Sequence, residues 1–586
     1  MTPISSLPPA AVFFLGAFVL PFLPRRLHAG VFLLFPVLGL VFLLQLNTGT
    51  TLVFPFLDYE LVVSRVDRLS LAFGYVFTII AFLGGIYGYS LKKPGEEVAA
   101  LLYAGSALGV VFAGDLFTLF VFWELMAVSS VYLIWARRTV RSSQAGMRYL
   151  LVHLFGGSVL LAGILWHLGK TGSILFNHLE GGPAAYLILF GFAVNAAVPP
   201  LHAWLSDSYP EATVAGAVFL SAFTTKTAVY ALARGFAGWE ILMWAGAIMA
   251  LYGVVFAVLE NDIRRLLSYH IISQVGFMVA GVGLGTEAAI NGATAHAFAH
   301  ILYKGLLFMG AGAVLHTTGR SKMTELGGLA RSMPLVLSLY MVGAFSISGV
   351  PLFSGFVSKS LVLHAAELSH RDSIFLLLSL ASVGTFLSLG LKLPYFTWFG
   401  AKKSFTPAPA PFSMVLGMVI TAGINVAIGV YPDLLYDLLP FPLHYRPYTL
   451  LHVTGSMQLL LFTFMGFWFL IDRLSGEAAI TLDTDWFYRR PSRFAYRLMV
   501  VPVNRLFMSL ESLTLGFSRS LARVSLNPVG YLLVSLRSVL YFRGAGDERL
   551  EPSVFDPDQY RLPVGIVVLV VLLCFMGLLA WNLFGF

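Results

Sequence analysis

The sequence predicts an all-α polytopic membrane protein, built as two inverted five-helix repeats with broken helices and followed by a lateral amphipathic helix and an anchor span. Three observations predict it. Of the 586 residues, 58% are hydrophobic and 11% are charged. Apolar runs of about 20 residues recur from end to end, each long enough to cross a bilayer. Two of those runs are interrupted by proline and glycine at comparable places. The runs lack the strict alternation of a barrel strand, so helices must satisfy the backbone in lipid.

Taken in order, spans fall near 10–23, 30–46, 69–90, 98–113, 116–135, 146–168, 185–204, 211–235, 241–260, 268–285, 291–315, 334–366, 374–398, 412–430, 449–472 and 563–585. The first stretch has no basic region before it and ends at Pro21 to Arg26, the pattern of a first span rather than of a cleaved signal peptide. With the N-terminus outside, Arg25, Arg26, Lys92, Lys93, Arg137, Arg138, Arg141, Arg264, Arg265, Arg320, Lys322, Lys402, Lys403 and Arg473 fall on the cytoplasmic side. The opposite loops hold fewer: Arg65, Arg68, Lys170, Arg234, Arg371 and Arg446. This asymmetry sets the orientation in a prokaryotic cytoplasmic (inner) membrane. The net charge of +8 therefore marks topology, not a groove for nucleic acid.

The interruptions lie in "NAAVPPLHAWL" (Pro199, Pro200) and "ISGVPLFSGFVSK" (Gly349, Pro351, Gly355). Proline removes a backbone donor, and broken backbone at membrane depth is tolerated only when packed in protein or lining a wet cavity. Two breaks five spans apart suggest a repeat with an ion site at each. The expected segments are N-terminal spans (1–95), a first half-channel (96–240), a second half-channel (241–400) and C-terminal spans (401–475). A lateral helix (476–560) and an anchor (561–586) follow. Between 483 and 550, Arg489, Arg490, Arg493, Arg497, Arg505, Arg519 and Arg523 appear among apolar residues. Leu506, Leu510, Leu513, Phe517 and Leu521 form one stripe, while Arg505, Ser509, Ser512, Arg519 and Arg523 form another. Such a helix lies along a surface, on lipid headgroups or as a brace over neighbouring subunits. Pro502, Pro528 and Gly530 should bend or divide it.

Ionisable side chains inside spans cost several kcal/mol, so each needs a partner or a role. Glu124 stands in "LFVFWEL" and Lys226 in "LSAFTTKTAVYAL". His296, His300 and Lys304 stack along one face of "ATAHAFAHILYKGLLF", and Lys359 follows the second break. A lysine withdrawn from water releases its proton more readily, a nearby carboxylate opposes this, and histidine titrates near neutral pH, so the set fits a proton relay. Asp115, Asn195 and His202 stand close by as auxiliary candidates. His296 and His300 have the spacing of two metal ligands, but no third ligand follows, and Cys574 is the single cysteine. No metal, haem, cluster or dinucleotide site is read, no cofactor is expected, and redox chemistry belongs to partner subunits.

The segments "AGDLFTLFVFWELMAVSSVYLI", "PPLHAWLSDSYPEATVAGAVFLSAFTTKTAVYALAR", "NDIRRLLSYHIISQVGFM", "HAFAHILYKGLLFMGAGAVLH" and "GVPLFSGFVSKSLVL" resemble the antiporter-like subunits. That family is shared by Mrp-type sodium/proton antiporters, respiratory complex I and membrane-bound hydrogenases. The resemblance covers about 60–430, with Lys226 and "GDLFTLFVFWEL" similar to the D subunit of Mrp antiporters. The tail, with "DTDWFYRR", resembles the largest antiporter-like subunit of complex I. It implies that Glu124 is the carboxylate of the first half-channel, Lys226 a central relay lysine, His300 with His296 and Lys304 the connection, and Lys359 the terminal lysine. It also implies partner subunits of an Mrp-type, hydrogenase-type or complex I-like assembly, with protons, and sodium as a candidate exchange ion, as the cargo. One position departs: Asn195 stands where the family carries a lysine before "PLHxWL". Two functions follow as expectations, a proton-translocating member of such a complex and a scaffold with an incomplete first half-channel.

Overall fold

The computed structural model describes all residues except 1–6, 92–94, 402, 404–406, 476–482, 485, 487–493, 495, 541–562 and 585–586. Lys92, Lys93, Lys402, Arg489, Arg490 and Arg493 of the sequence reading therefore lie outside the described residues. Two units form by contact, Met1–Asp485 and Trp486–Phe586.

The first unit opens with α1 (Ala10–Val19) and α2 (His28–Leu44), then an antiparallel hairpin, β1 (Thr51–Phe56) with β2 (Tyr59–Arg65). The hairpin went unread in the sequence because its strands are short and only partly alternating. Then come α3 (Arg68–Gly88), α4 (Glu96–Phe112), α5 (Leu116–Trp135) and α6 (Val140–Thr171). Their starts follow capping chemistry: Asp67 accepts from the Ser70 amide, Asp115 from Thr118 and Thr139 from Ser142.

The next span is broken. Helix α7 (Pro183–Asn195) stops, Ala197 takes a positive φ of 60°, and α8 (Ala203–Ser208) restarts beyond Pro199 and Pro200. The Trp204 indole donates to the Val194 carbonyl at 2.9 Å, tying the two pieces together. A second interruption was not read from the sequence: 211–235 divides at Phe223 into α9 (Gly216–Ala222) and α10 (Thr224–Gly235). No proline or glycine marks it.

Helices α11 (Glu240–Leu259), α12 (Ile263–Leu284) and α13 (Glu287–Thr318) follow, then the expected second proline break between α14 (Pro334–Ser348) and α15 (Ser354–Leu368). Gly349 there has a φ of +73°, and a Cβ on Gly355 would fall 1.7 Å from the Ser346 carbonyl oxygen, so only glycine lets the two pieces meet. Helix α16 (Asp372–Thr385) widens into π turns over Phe386–Lys392 and Tyr395–Phe399. Thus 96–235 and 240–399 each hold five helical passes whose fourth carries the proline break. Helices α17 (Phe412–Val430), α18 (Asp433–Tyr436) and α19 (Leu450–Leu470) complete the unit.

The apolar stretch of α12 is wholly buried and that of α13 is 94% buried, which puts both at the centre of the bundle. At the end of α12, the buried Arg264 guanidinium donates to the carbonyls of Ala212 (3.0 Å), Thr213 (3.1 Å) and Tyr209 (3.3 Å). Arg264→Ala would remove three buried charge-assisted hydrogen bonds, while the Tyr209 and Thr213 carbonyls keep only their backbone amide donors. It is expected to lower stability by about 3–5 kcal/mol, measured as a fall in the thermal midpoint of the purified protein in detergent.

In the second unit a π turn over Tyr496–Val500 leads into α20 (Val501–Leu526), Pro502 standing where the π turn gives way to the α-helix, and Pro528, opening α21 (Pro528–Leu540) after Asn527, divides the segment as expected. Helix α22 (Val564–Phe584) is apolar on every side. In all, twelve helices among the described residues are long and apolar enough to cross a membrane, and four shorter apolar helices accompany them. The chain is a multi-pass membrane protein.

Candidate functional site

Three buried lysines of the first unit do one local job: each caps carbonyls at a helix end or break. The Lys226 ammonium donates to the Ser221 carbonyl beside the Phe223 interruption. That of Lys359 donates to Ile347 at 2.7 Å, in the last turn of α14, and to the Ser382 hydroxyl at 3.2 Å. Lys392, which the sequence reading passed over, donates to the carbonyls of Val258 and Glu260 where α11 ends. An interrupted helix leaves carbonyls with no intrahelical donor and a partial negative charge, and a cation is favoured there. Lys304 differs: its ammonium is buried with no hydrogen-bond partner and lies 6.0 Å from the Phe308 ring.

Of the expected second half, His296, His300 and Lys359 stand near one another. His296 Nδ1 is 3.1 Å from the Ser358 hydroxyl, next to Lys359, and Nε2 is 3.2 Å from Gln274 Oε1. The Phe277 ring lies 5.7 Å from the His296 ring and 5.1 Å from the Lys359 ammonium, bridging the two. The His296 and His300 rings are 6.3 Å apart, with the Tyr303 ring 6.3 Å from the first and 5.2 Å from the second, and both His300 nitrogens are buried without a hydrogen bond. Lys359 also faces a pocket with about 70 Å³ of room for water, lined by Ser348, Ser379, Ser382, His452 and Thr463.

In the first half, Glu124 is half-buried, with Oε1 unpaired and turned toward α6. The space for it exists because residue 157 is glycine: a Cβ there would fall 1.7 Å from that oxygen. Gly157→Ala must therefore displace the carboxylate. It is expected to reduce transport about tenfold with assembly intact, since a small misplacement is enough to break a relay, measured as flux per assembled complex.

One turn earlier on α6, the buried His153 places Nδ1 2.7 Å from Asn195 Oδ1. The sequence reading missed this histidine, although "MRYLLVHLFGG" sets it in an apolar run as plainly as Glu124 in its own. The His153 ring packs on Tyr149 (4.2 Å) and Trp204 (4.4 Å). Tyr149 OH lies 2.7 Å from Ser130 and 3.5 Å from Thr224, and Thr224 Oγ1 lies 2.5 Å from Tyr103 OH, at the Phe223 break and two residues from Lys226. Of the auxiliary candidates, Asp115 caps α5 through the Thr118 amide and hydroxyl, at 2.7 and 2.6 Å, and Asn195 meets His153. His202 is held by Asp483, a residue from beyond the last helix of the bundle.

Broken helices, buried lysines on their free carbonyls and buried histidines near them place the chain in the antiporter-like class of membrane proteins. The chain belongs to the NADH:quinone oxidoreductase/Mrp antiporter transmembrane family, whose model matches residues 113–388. It is 32% identical to the D subunit of the Na(+)/H(+) antiporter of Alkalihalophilus pseudofirmus, over 55% of this chain and 69% of that one. It is 31% identical to the A subunit of the Na(+)/H(+) antiporter of the same organism, over 72% of this chain and 60% of that one. The chain thus spans well under the full length of that larger relative. Among solved structures it resembles a chain of the membrane-bound sulfane sulfur reductase, an archaeal respiratory membrane complex. The TM-score is 0.66 at 27% identity, covering 74% of this chain and 95% of that one.

Proposed function

We propose that the chain carries protons across the cytoplasmic membrane as one subunit of a larger complex, with sodium exchange as a variant of the same activity. The observation that carries this is the set of buried titratable side chains in two groups: His153, whose ring packs on Tyr149 and so reaches Thr224, two residues from Lys226, with Glu124 one turn away against α6; and His300, Tyr303 and His296, joined through Ser358 and Phe277 to Lys359. A single structural ion pair would need a neighbour of opposite charge, and these lysines rest on neutral carbonyls and hydroxyls instead.

In this reading 96–240 and 241–400 are the two half-channels, each organised by its proline break. Glu124 and Gly157 form the first loading point, with His153 and Asn195 beside it. Lys226 is the central site and Lys359 the terminal one. His296, His300 and Lys304 connect the last two, and Lys304, with no partner, is the cation most sensitive to charge arriving nearby. The segments 1–95 and 401–475 flank the channels, while 476–560 and 561–586 serve as arm and anchor toward neighbouring subunits. Partners and cargo follow those of the relatives, sodium/proton antiporter subunits and a respiratory membrane complex.

The test is proton uptake by inverted vesicles carrying the assembled complex. Lys226→Ala is expected to lower uptake about tenfold or more, whereas undiminished uptake would overturn the reading. A second reading, a scaffold with an incomplete first half-channel, is favoured only by Asn195.

A further inference from the structure

Asp483 comes from outside the helical bundle, yet its side chain is fully buried against His202. His202 Nε2 is 3.1 Å from Oδ1 and 3.2 Å from Oδ2. Tyr269 on α12 donates its hydroxyl to Oδ2 at 2.6 Å, Tyr252 on α11 donates to Oδ1, and the Thr484 amide donates to Oδ1 as well. The Thr484 hydroxyl donates to the Pro200 carbonyl at 3.3 Å, so the same short segment touches the first proline break directly. His202 Nδ1 is buried with no hydrogen bond. On α12 the Arg265 charge acts on the Tyr269 hydroxyl, and Arg265 pairs with Glu260 at 3.4 Å.

We propose that His202 and Asp483 form a proton-holding pair at the first helix break, in which Asp483, delivered by the segment after the last bundle helix, positions His202 for exchange with the first half of the relay. Burying a carboxylate is costly without a partner, and a chain segment that carries one into the bundle gives up stability unless the partner is there to meet it. Four donors meet this one. Burial by itself would raise the Asp483 carboxyl, but the hydrogen bond and charge of His202, with the Tyr252 and Tyr269 hydroxyls, outweigh it and hold the group well below the usual carboxylate range. A depressed carboxyl stabilises the seated segment above its unfolded pKa and loses that contribution as pH falls through its folded value, so the Asp483 carboxylate is ionised and the segment seated at neutral pH. The first break has a neutral Asn195 where a lysine is expected, and this pair supplies a charged, titratable group at the same break.

The proposal rests on the proton-translocating reading, so one of its tests is independent of transport. In the full chain with Cys574→Ser, a cysteine at Thr484→Cys is expected to react slowly with a maleimide, and severalfold faster when Asp483→Asn is added. In the assembled complex, Asp483→Asn is expected to cut uptake about tenfold and Asp483→Glu to recover most of it. Removing two donors with Tyr252→Phe and Tyr269→Phe favours the protonated carboxyl, so the acid limb of uptake is expected to move up by about one pH unit with assembly intact. If Asp483→Asn fails to assemble, this double variant decides, and an unmoved acid limb overturns the proposal. Equal maleimide rates with and without Asp483→Asn, or wild-type uptake and pH profile in Asp483→Asn, also overturn it. Failure of the translocation reading shows separately, as undiminished uptake in Lys226→Ala.

Discussion

Lys359→Arg is expected to assemble normally and to lose about nine-tenths or more of its proton flux. The substitution separates the two things this lysine does. Its ammonium caps the Ile347 carbonyl left free at the second break and reaches Ser382, and a guanidinium can also donate to both. What arginine cannot do is give up its proton in a protein. A structural role would therefore survive the change and a relay role would not. Lys359→Ala is expected to lose the flux as well, but with lower thermal stability, because the carbonyl at the break loses its donor. The measurement is proton uptake per assembled complex, with assembly scored by native gel. Near-normal flux in Lys359→Arg would assign the residue to capping alone.

The second large effect is expected at Asn195. Introducing lysine there matches the relatives' motif but places an ammonium against a histidine that this chain has already engaged, 2.7 Å from Asn195 Oδ1. The ammonium puts a donor where Asn195 Oδ1 accepted, so His153 Nδ1 loses its acceptor and a cation is buried beside it. Asn195→Lys is therefore expected to reduce flux about tenfold, and His153→Leu to do the same alone. Combining Asn195→Lys with His153→Leu relieves the clash and is expected to recover part of the loss, the sign of one shared site. A gain of flux in Asn195→Lys alone would favour the scaffold reading, with the first half-channel degenerate.

Much of this was legible in the chain because membranes make simple demands. A run of apolar residues has one structural solution, and a charge within it draws attention at once, which is how Glu124, Lys226, His296, His300, Lys304 and Lys359 were found. Proline marked two breaks for the same reason, by removing a donor. The interruption at Phe223 carried no such mark: nothing in "FLSAFTTKT" breaks a helix locally, and at the interruption the distant Tyr103 hydroxyl meets the Thr224 amide and hydroxyl while the Lys226 ammonium caps Ser221 five residues back. The Asp483 contact was illegible for another reason. It joins residues 281 positions apart, and no local pattern reports a pairing across that distance. His153 was different again. It is an ionisable group in an apolar run, as legible as Glu124, but its pairing with Asn195 on another helix is not written in any local pattern.

The central claim is that protons cross through Lys226 and Lys359 in series. The measurement that reaches it most directly is proton uptake driven by an imposed pH difference in vesicles holding the assembled complex with both lysines replaced by arginine. The charges then remain, but neither can be discharged. Uptake is predicted to fall to the level of vesicles lacking the complex, and uptake at the wild-type rate would contradict the account.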